Sequence, residues 1–397
     1  ISNQQFGYQK ELNANELGRQ WLMFARLEDD HQIKTDFKAL IGLDVNAFLR
    51  LAYCVQIAWH TGHREMSKSW FKSVGAIASN EEVDGFLSAL SKNHSEFREM
   101  FKKNIYRGDG EEFEITRLVE YPLLKKGEKY YNWNPFIFDR AINLFVYRKL
   151  REQDSQRFMR TFGEVFERYC EDGIKDSGAD FITEQDIKKV YGKKSQEKVI
   201  DFLVNEEDAL VLIDSKGVEL KNRSLVGAEP SMLNRDIKDS VFAGITQAQR
   251  VYRNRKKIGT STGWDLMAKE PFIVVVTYHE MNLKGGQSYY EYVDNEKMDD
   301  IQKEFSEDPI ELENIFFLSI DCFDRMCEWR RTKNGNFGDL LRQIRERNKN
   351  AKTSRFIFGM HLAEIGISEV ERLVTARNEV IKPIIEAVQE QDASTEE

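Results

Sequence analysis

Two hydrophobic periodicities divide this chain. Residues 199–217 read Val-Ile-Asp-Phe-Leu-Val-Asn-Glu-Glu-Asp-Ala-Leu-Val-Leu-Ile-Asp-Ser-Lys-Gly, two short apolar runs joined by an acidic turn. Short β-branched runs bounded by polar residues predict buried strands. Residues 271–279 and 315–321 predict two more, the second leading into a helix from Asp324, and residues 289–293 predict an edge strand. Elsewhere the spacing is helical. Phe158, Phe162, Phe166 and Tyr169 recur at three- and four-residue steps, and residues 240–252 form a second amphipathic stripe. Further helical stripes run through 48–59, 70–77, 86–101 and 136–150, with a short hairpin or ordered loop at 122–131. A last stripe, 370–388, is interrupted by Pro383 and precedes an acidic segment, 389–397, whose composition predicts disorder. The pattern therefore predicts a mainly helical region 1–152, an α/β region 153–347, and a C-terminal helix with tail, 348–397.

Charges interrupt the two runs of the hairpin. Asp201 breaks the first, and Asp214 with Lys216 closes the second. An ionised carboxylate buried alone costs several kcal/mol, so such residues need partners. With Glu206 and Glu207 at the tip of a tight hairpin, Asp201 lies opposite Leu212, and Asp214 and Lys216 share its face. Asp201 and Asp214 are then diagonal neighbours, roughly 6–8 Å apart at their backbones. Upstream, Glu167 sits beside the aromatic stripe and Glu164 one turn earlier. Downstream, the second helix offers Gln247 and Gln249 and ends in a basic run, Arg250, Arg253, Arg255, Lys256 and Lys257. Clustered carboxylates are hard oxygen ligands suited to Mg²⁺.

A helix glutamate, a strand aspartate, Asp-x-Lys on the next strand and a glutamine-bearing helix, in this order, resemble the PD-(D/E)xK nuclease superfamily. The resemblance covers about residues 158–280. It implies an α/β, restriction-endonuclease-like core, a mixed sheet flanked by helices, here following an N-terminal mainly α-helical domain. It further implies that Glu167 (or Glu164), Asp201 and Asp214 hold Mg²⁺, with Mn²⁺ able to substitute. Lys216 is then the family lysine, and Gln247 or Gln249 the helix glutamine. Two positions depart from the commoner pattern: Ile200 stands where a proline often precedes the first aspartate, and the middle acid is Asp rather than Glu. Neither change removes a charge. The implied activity is hydrolysis of phosphodiester bonds in DNA or RNA, with Lys216 orienting the attacking water. A nuclease core with a large helical extension is also similar in plan to bacterial defence effectors against phage, which gives the helical domain a role in sensing a trigger, gating, or binding a protein partner.

Composition bounds these expectations. The 397 residues, 41% hydrophobic and 31% charged, suit a soluble globular protein of two or three domains. No apolar run approaches the roughly 20 residues of a membrane span. The first residues lack a secretory pattern and an initial Met, as in a trimmed start, and the expected compartment is cytoplasmic. A net charge of −9 excludes a uniformly basic nucleic-acid surface, so phosphate contacts must come from local patches. The run 250–257 is one candidate; Arg330, Arg331 and Lys333 with Arg342, Arg345 and Arg347 form another, equally readable as a solvated face. Four cysteines predict reduced thiols without a disulfide framework. Cys322 and Cys327, and His60 and His63 with Cys54, lack the further ligands of a zinc site. No phosphate-binding glycine loop points to a nucleotide fold. The competing reading is a non-catalytic, nuclease-like module that binds protein or nucleic acid, in which the same acids are strand-edge and helix-face charges.

Overall fold

A computed structural model describes residues 14–73, 78–103, 116–192, 198–217, 234, 235, 237, 240–281, 283–333, 335–367 and 369–395. The architecture is mixed α/β, with two mixed sheets. The chain divides into two compact units rather than three regions: Ile1–Phe162 together with Glu371–Glu397, and Gly163–Val370. The boundary falls inside one continuous helix, Ser155–Asp176.

The first unit is mainly helical. Its helices are α1 (Ala14–Gln20), α2 (Gln32–Ile41), α3 (Val45–His60), α4 (Lys68–Ser73), α5 (Asn80–Leu90), α6 (His94–Lys103), α7 (Pro135–Gln153) and the start of α8 (Ser155–Asp176). Four short strands, β1 (Glu65–Ser67), β2 (Ser91–Asn93), β3 (Leu123–Lys126) and β4 (Lys129–Asn132), form a sheet in the order β1-β4-β3-β2. The hairpin expected at 122–131 is its centre. The stripe expected over 86–101 is broken by β2, because Asn93 and Glu96 cap each other at the start of α6 (2.8 and 3.0 Å) and the chain between two helices pairs with β3. Residues 74–77 of the 70–77 stripe lie outside the described residues. The core is aromatic: Phe48 stacks on Phe145 at 4.6 Å and meets Phe37 and Phe86 at 5.5 Å each.

The C-terminal helix α17 (Glu371–Thr395) belongs to this unit and runs on through Pro383 and most of the segment expected to be disordered. Its Glu, Gln and Ala residues support a helical backbone better than its charge suggested. The backbone of Leu373 lies so close to α1 that a Cβ on Gly18 would stand 2.1 Å from its carbonyl. Glu379 accepts hydrogen bonds from Trp21 Nε1 (2.9 Å) and from the Arg26 guanidinium.

The second unit is built on a five-stranded sheet in sequential order, β5 (Asp180–Thr183), β6 (Phe202–Asn205), β7 (Ala209–Lys216), β8 (Glu270–Thr277) and β9 (Ile315–Ser319). Strands β5, β6 and β7 are antiparallel neighbours, and β8 and β9 continue parallel to β7. Helix α9 (Glu184–Tyr191) follows β5. Helices α10 (Val241–Arg253) and α11 (Arg255–Thr262) make the crossover between β7 and β8. The apolar runs of β7 and β8 are buried on both faces, which is why they lack polar alternation. On one face Leu203, Leu212, Ile273 and Val275 pack against Ile245, Ala248 and Val251 of α10.

Helices α12 (Gly286–Tyr292) and α13 (Asn295–Glu304) follow β8. Helices α14 (Ile320–Lys333), α15 (Phe337–Lys349) and α16 (Phe358–Ile365) follow β9. The edge strand expected at 289–293 is instead α12. Backbone N–H groups of Lys284 and Gly285 donate to Ser288 Oγ (3.1 Å each), and Tyr289 is buried against Phe242 at 4.9 Å. Beside β9 the edge is met by the Lys284 carbonyl, which accepts from Phe317 N at 3.2 Å, and by Gly285, bridged to Phe316. Helix α14 begins at Ile320, four residues before the expected Asp324.

The hairpin register is two residues further along than expected. Phe202 pairs with Ile213 and Asn205 with Leu210, so Asp201, just before β6, comes opposite Asp214 and not Leu212. The cause is the turn. Glu206 is not a solvated tip: its carboxylate accepts from Phe337 N and Gly338 N (2.8 Å each) at the start of α15 and from Arg330 Nε (3.2 Å). A shift by two preserves faces, so Asp201, Asp214 and Lys216 still share one side of the sheet.

Candidate active site

Strand β7 carries Asp214 from an apolar interior to the end of the strand, and helix α10 leaves a niche for it. A Cβ on Gly244 would stand 2.4 Å from Asp214 Oδ2, so only glycine lets the carboxylate fit against the helix. Asp214 is wholly buried. Lys216 Nζ lies 2.7 Å from Oδ2 as an ion pair, yet among the described residues neither Asp214 oxygen has a well-aligned hydrogen bond. Burial above all, then the Asp201 charge, pushes the Asp214 pKa up to about 7 against the opposing pull of Lys216. Asp201 is half-buried and held by the neighbouring strand β7: Oδ2 accepts from Ser215 N (2.6 Å) and Ser215 Oγ (2.5 Å). Its own pKa is raised by burial, opposed by Ser215 and Lys216. Burial pulls Lys216 down, but Asp214, Asp201 and Glu184 together overcome it and hold the ammonium above its ordinary value.

Helix α8 supplies Glu167, half-buried one position after the core residue Phe166. Burial, then the charges of Asp201, Glu184 and Glu171, raise its pKa to about 7. Glu164, its alternative, is exposed and is not among the charges acting on the group. Sequence reasoning missed Glu184, which faces Glu167, Asp201 and Lys216 electrostatically. Its backbone N–H donates to the Asp201 carbonyl at 2.7 Å, and Lys188 pairs with its side chain at 2.7 Å. In sequence it looks like an ordinary first-turn residue of a capped helix, because Thr183 and Asp186 form a capping box around it. Among the described residues no three acid, histidine or cysteine side chains are already drawn into a metal cage. The carboxylates are close enough to raise one another's pKa, but Asp214 is turned to Lys216 and Asp201 to Ser215.

Of the two glutamines, Gln249 is excluded from the site. Its buried amide spans the Ile310 backbone, accepting from Ile310 N (3.1 Å) and donating to Ile310 O (3.4 Å). Gln247 is buried to 7% exposure, one helical turn beyond Gly244.

The arginines of the basic run, expected as phosphate contacts, are drawn into contacts on α13 and beyond it. Arg250 pairs with Glu304 (3.3 Å), and Arg253 donates to the Glu304 carbonyl (2.8 Å) and covers Phe305. Arg255 is buried, paired with Asp308 (2.6 Å) and stacked on Tyr252. Arg250 and Arg253 remain exposed despite these contacts, as do Lys256 and Lys257. The crossover explains the displacement. Helix α10 runs back from the acid cluster, so Arg250 and Arg253 lie roughly 9 and 13 Å along it from Gly244.

The arginines of the second basic cluster are likewise paired with acids. Arg330 binds Glu206, Arg331 pairs with Glu328, Arg342 and Arg345 both clamp Glu270 (2.6 Å each), and Arg347 pairs with Glu364. All four cysteines are buried and outside any disulfide, and His60 is bonded to Asp139 at 2.7 Å. No single helix among the described residues is long and apolar enough to cross a membrane. Comparison with protein-family models, curated proteins and solved structures finds no match to this chain.

Proposed function

We propose that the second unit is a divalent-metal-dependent nuclease that hydrolyses phosphodiester bonds. The observation carrying this reading is the meeting of Asp214, Asp201, Glu167 and Lys216 at one end of β7, with both oxygens of a fully buried carboxylate lacking aligned donors among the described residues. A buried carboxylate left so is a cost to the fold unless it has a use. The element order, α8, antiparallel β5 to β7 with α9 between β5 and β6, the crossover helices and parallel β8, supports the same reading.

The donor set fits Mg²⁺ or Mn²⁺: only carboxylate oxygens, mutually repelling, with Asp214 poor in competing donors. Asp214, Asp201 and Glu167 would hold the ion. When bound, it would neutralise this charge and polarise a phosphate oxygen. The chain's own residues supply the rest. Lys216, kept charged by its acidic neighbours, can turn its ammonium from Asp214 to a phosphate oxygen or to the attacking water. Ser215 fixes Asp201 in one rotamer through two hydrogen bonds, so one carboxylate oxygen stays available. Gln247 can donate to phosphate, or accept from Lys216, without adding charge.

Purified protein incubated with plasmid, linear duplex, single strands and total RNA, in Mg²⁺ and in EDTA, tests the activity. Asp214→Ala and Lys216→Ala are each expected to reduce metal-dependent cleavage by about 100-fold or more, the scale of losing a central electrostatic group. Undiminished cleavage by Asp214→Ala protein eliminates the assignment. The second reading, a non-catalytic binding module, draws on the Lys216–Asp214 pair and the absence of a preformed metal cage among the described residues. It is favoured if Mn²⁺ fails to bind the wild type. For a role in defence, phage should plate less efficiently on cells carrying the wild type than on cells carrying Asp214→Ala.

A further inference from the structure

The helical unit contains a cleft of about 970 Å³, at the upper end of the range occupied by small-molecule sites. Its floor is the small sheet, where the register sets Asn93, Lys125 and Tyr130 side by side. Residues of α2, α5 and α7 wall it. Four ammonium groups, Lys68, Lys92, Lys125 and Lys149, line it against two carboxylates, Asp84 and Glu96. Both carboxylates are already engaged. Asp84 pairs with Lys68 at 2.5 Å, and Glu96 accepts the Asn93 backbone N–H at 2.8 Å. Among the described residues Lys92 and Lys125 have no carboxylate partner, and Lys149 reaches Glu152 only at 3.7 Å.

Two of these cations converge on one ring. Lys92 Nζ lies 4.1 Å and Lys149 Nζ 5.0 Å from the centre of Tyr121. Ring contact holds the ammoniums without neutralising them. Lys149 is half-buried, and that burial lowers its pKa, so its charge is held at a cost. A concave surface carrying uncompensated positive charge focuses potential on an anion. In a chain of net charge −9 such a concentration calls for a ligand. A cleft of this volume, within the range of small-molecule sites, suits a compact anion.

We propose that this cleft binds a small anion bearing two or more phosphates, with Lys92, Lys125 and Lys149 as its phosphate contacts. The site is independent of the nuclease reading and lies wholly within the helical unit. Calorimetric titration of the full chain in EDTA, with inorganic tripolyphosphate and with ATP, tests it. Saturable binding at one site is expected. Lys92→Gln and Lys149→Gln should each weaken it by about ten-fold, the scale of one charge-assisted hydrogen bond to phosphate. Lys382→Gln, which removes the same charge from exposed helix α17, should leave it unchanged. Lys125 is exposed on its strand, so Lys125→Gln keeps the test open if Lys149→Gln protein unfolds. Absence of saturable binding, affinity unaffected by all three substitutions, or an oligothymidylate that binds more tightly than tripolyphosphate through the same lysines would each overturn the proposal.

Discussion

At the scale of single residues, burying charge is costly, and the groups that meet that cost around Asp214 decide whether the cluster holds. Asp201, Asp214 and Lys216 stand out because charge interrupts apolar strands, and the cost of burying charge makes such interruptions informative. Gly244 carries no such mark, since a glycine in an amphipathic helix reads only as a weak helix former. Its role appears only from the approach of Asp214 Oδ2. Gly244→Ala should therefore lower stability by about 1–3 kcal/mol, as forced overpacking does, and displace the carboxylate. Urea unfolding measures the first effect and metal-dependent cleavage the second; an unperturbed variant would show the niche to be slack. The pKa of Asp214, about 7 in the fold against 3.8 ordinarily, fixes a sign for pH. The native state holds a proton that the unfolded chain releases, so this group costs stability as pH rises from about 4 to about 7. In EDTA, Asp214→Asn should raise the melting temperature at pH 8 and lose that advantage near pH 4. A constant difference between the two proteins across this range would contradict the burial of an ionising Asp214.

At the scale of elements, strand interiors were predictable and element ends were not. The buried runs of β7, β8 and β9 announce themselves by β-branched continuity. Residues 289–293 have the same aromatic character, but Ser288 caps a helix there and β9 already has Lys284 and Gly285 beside it. The acidic turn misled for a related reason. Glu206 looks like solvent-facing charge until α15, more than a hundred residues away, brings two backbone N–H groups to it. Glu206→Ala should destabilise the second unit by about 3–5 kcal/mol, because Arg330 would lose its buried partner and the N–H groups their acceptor. Glu207→Ala beside it should change little; equal effects would mean that the latch contributes nothing. The basic run belongs to the same lesson, since its arginines find acids on α13 and beyond it. Arg255→Ala should accordingly reduce stability through lost contacts to Asp308 and Tyr252 while leaving nucleic-acid affinity in filter binding unchanged.

At the scale of the whole molecule, the periodicities gave the right kinds of structure but the wrong partition. A C-terminal stripe interrupted by proline and trailing into acids looks separable, yet α17 closes the unit that the chain began. No local pattern could reveal this, because the decisive contacts join residues more than three hundred positions apart: Gly18 with Leu373, and Trp21 and Arg26 with Glu379. The second unit is thus an insertion between two parts of the first, and its sheet uses no residue from either flank. Removing residues 371–397 should then act selectively. Helix α1 would lose the surface against which Gly18 packs, and Trp21 its indole acceptor, while β6 to β9 keep every strand partner. Hydrogen exchange on the truncated chain should show faster exchange in α1 and α3 with β7 and β8 protected as before. Equal loss of protection across both units would show that the fold is one cooperative body and that the acid cluster on β7 depends on the helical unit for its integrity.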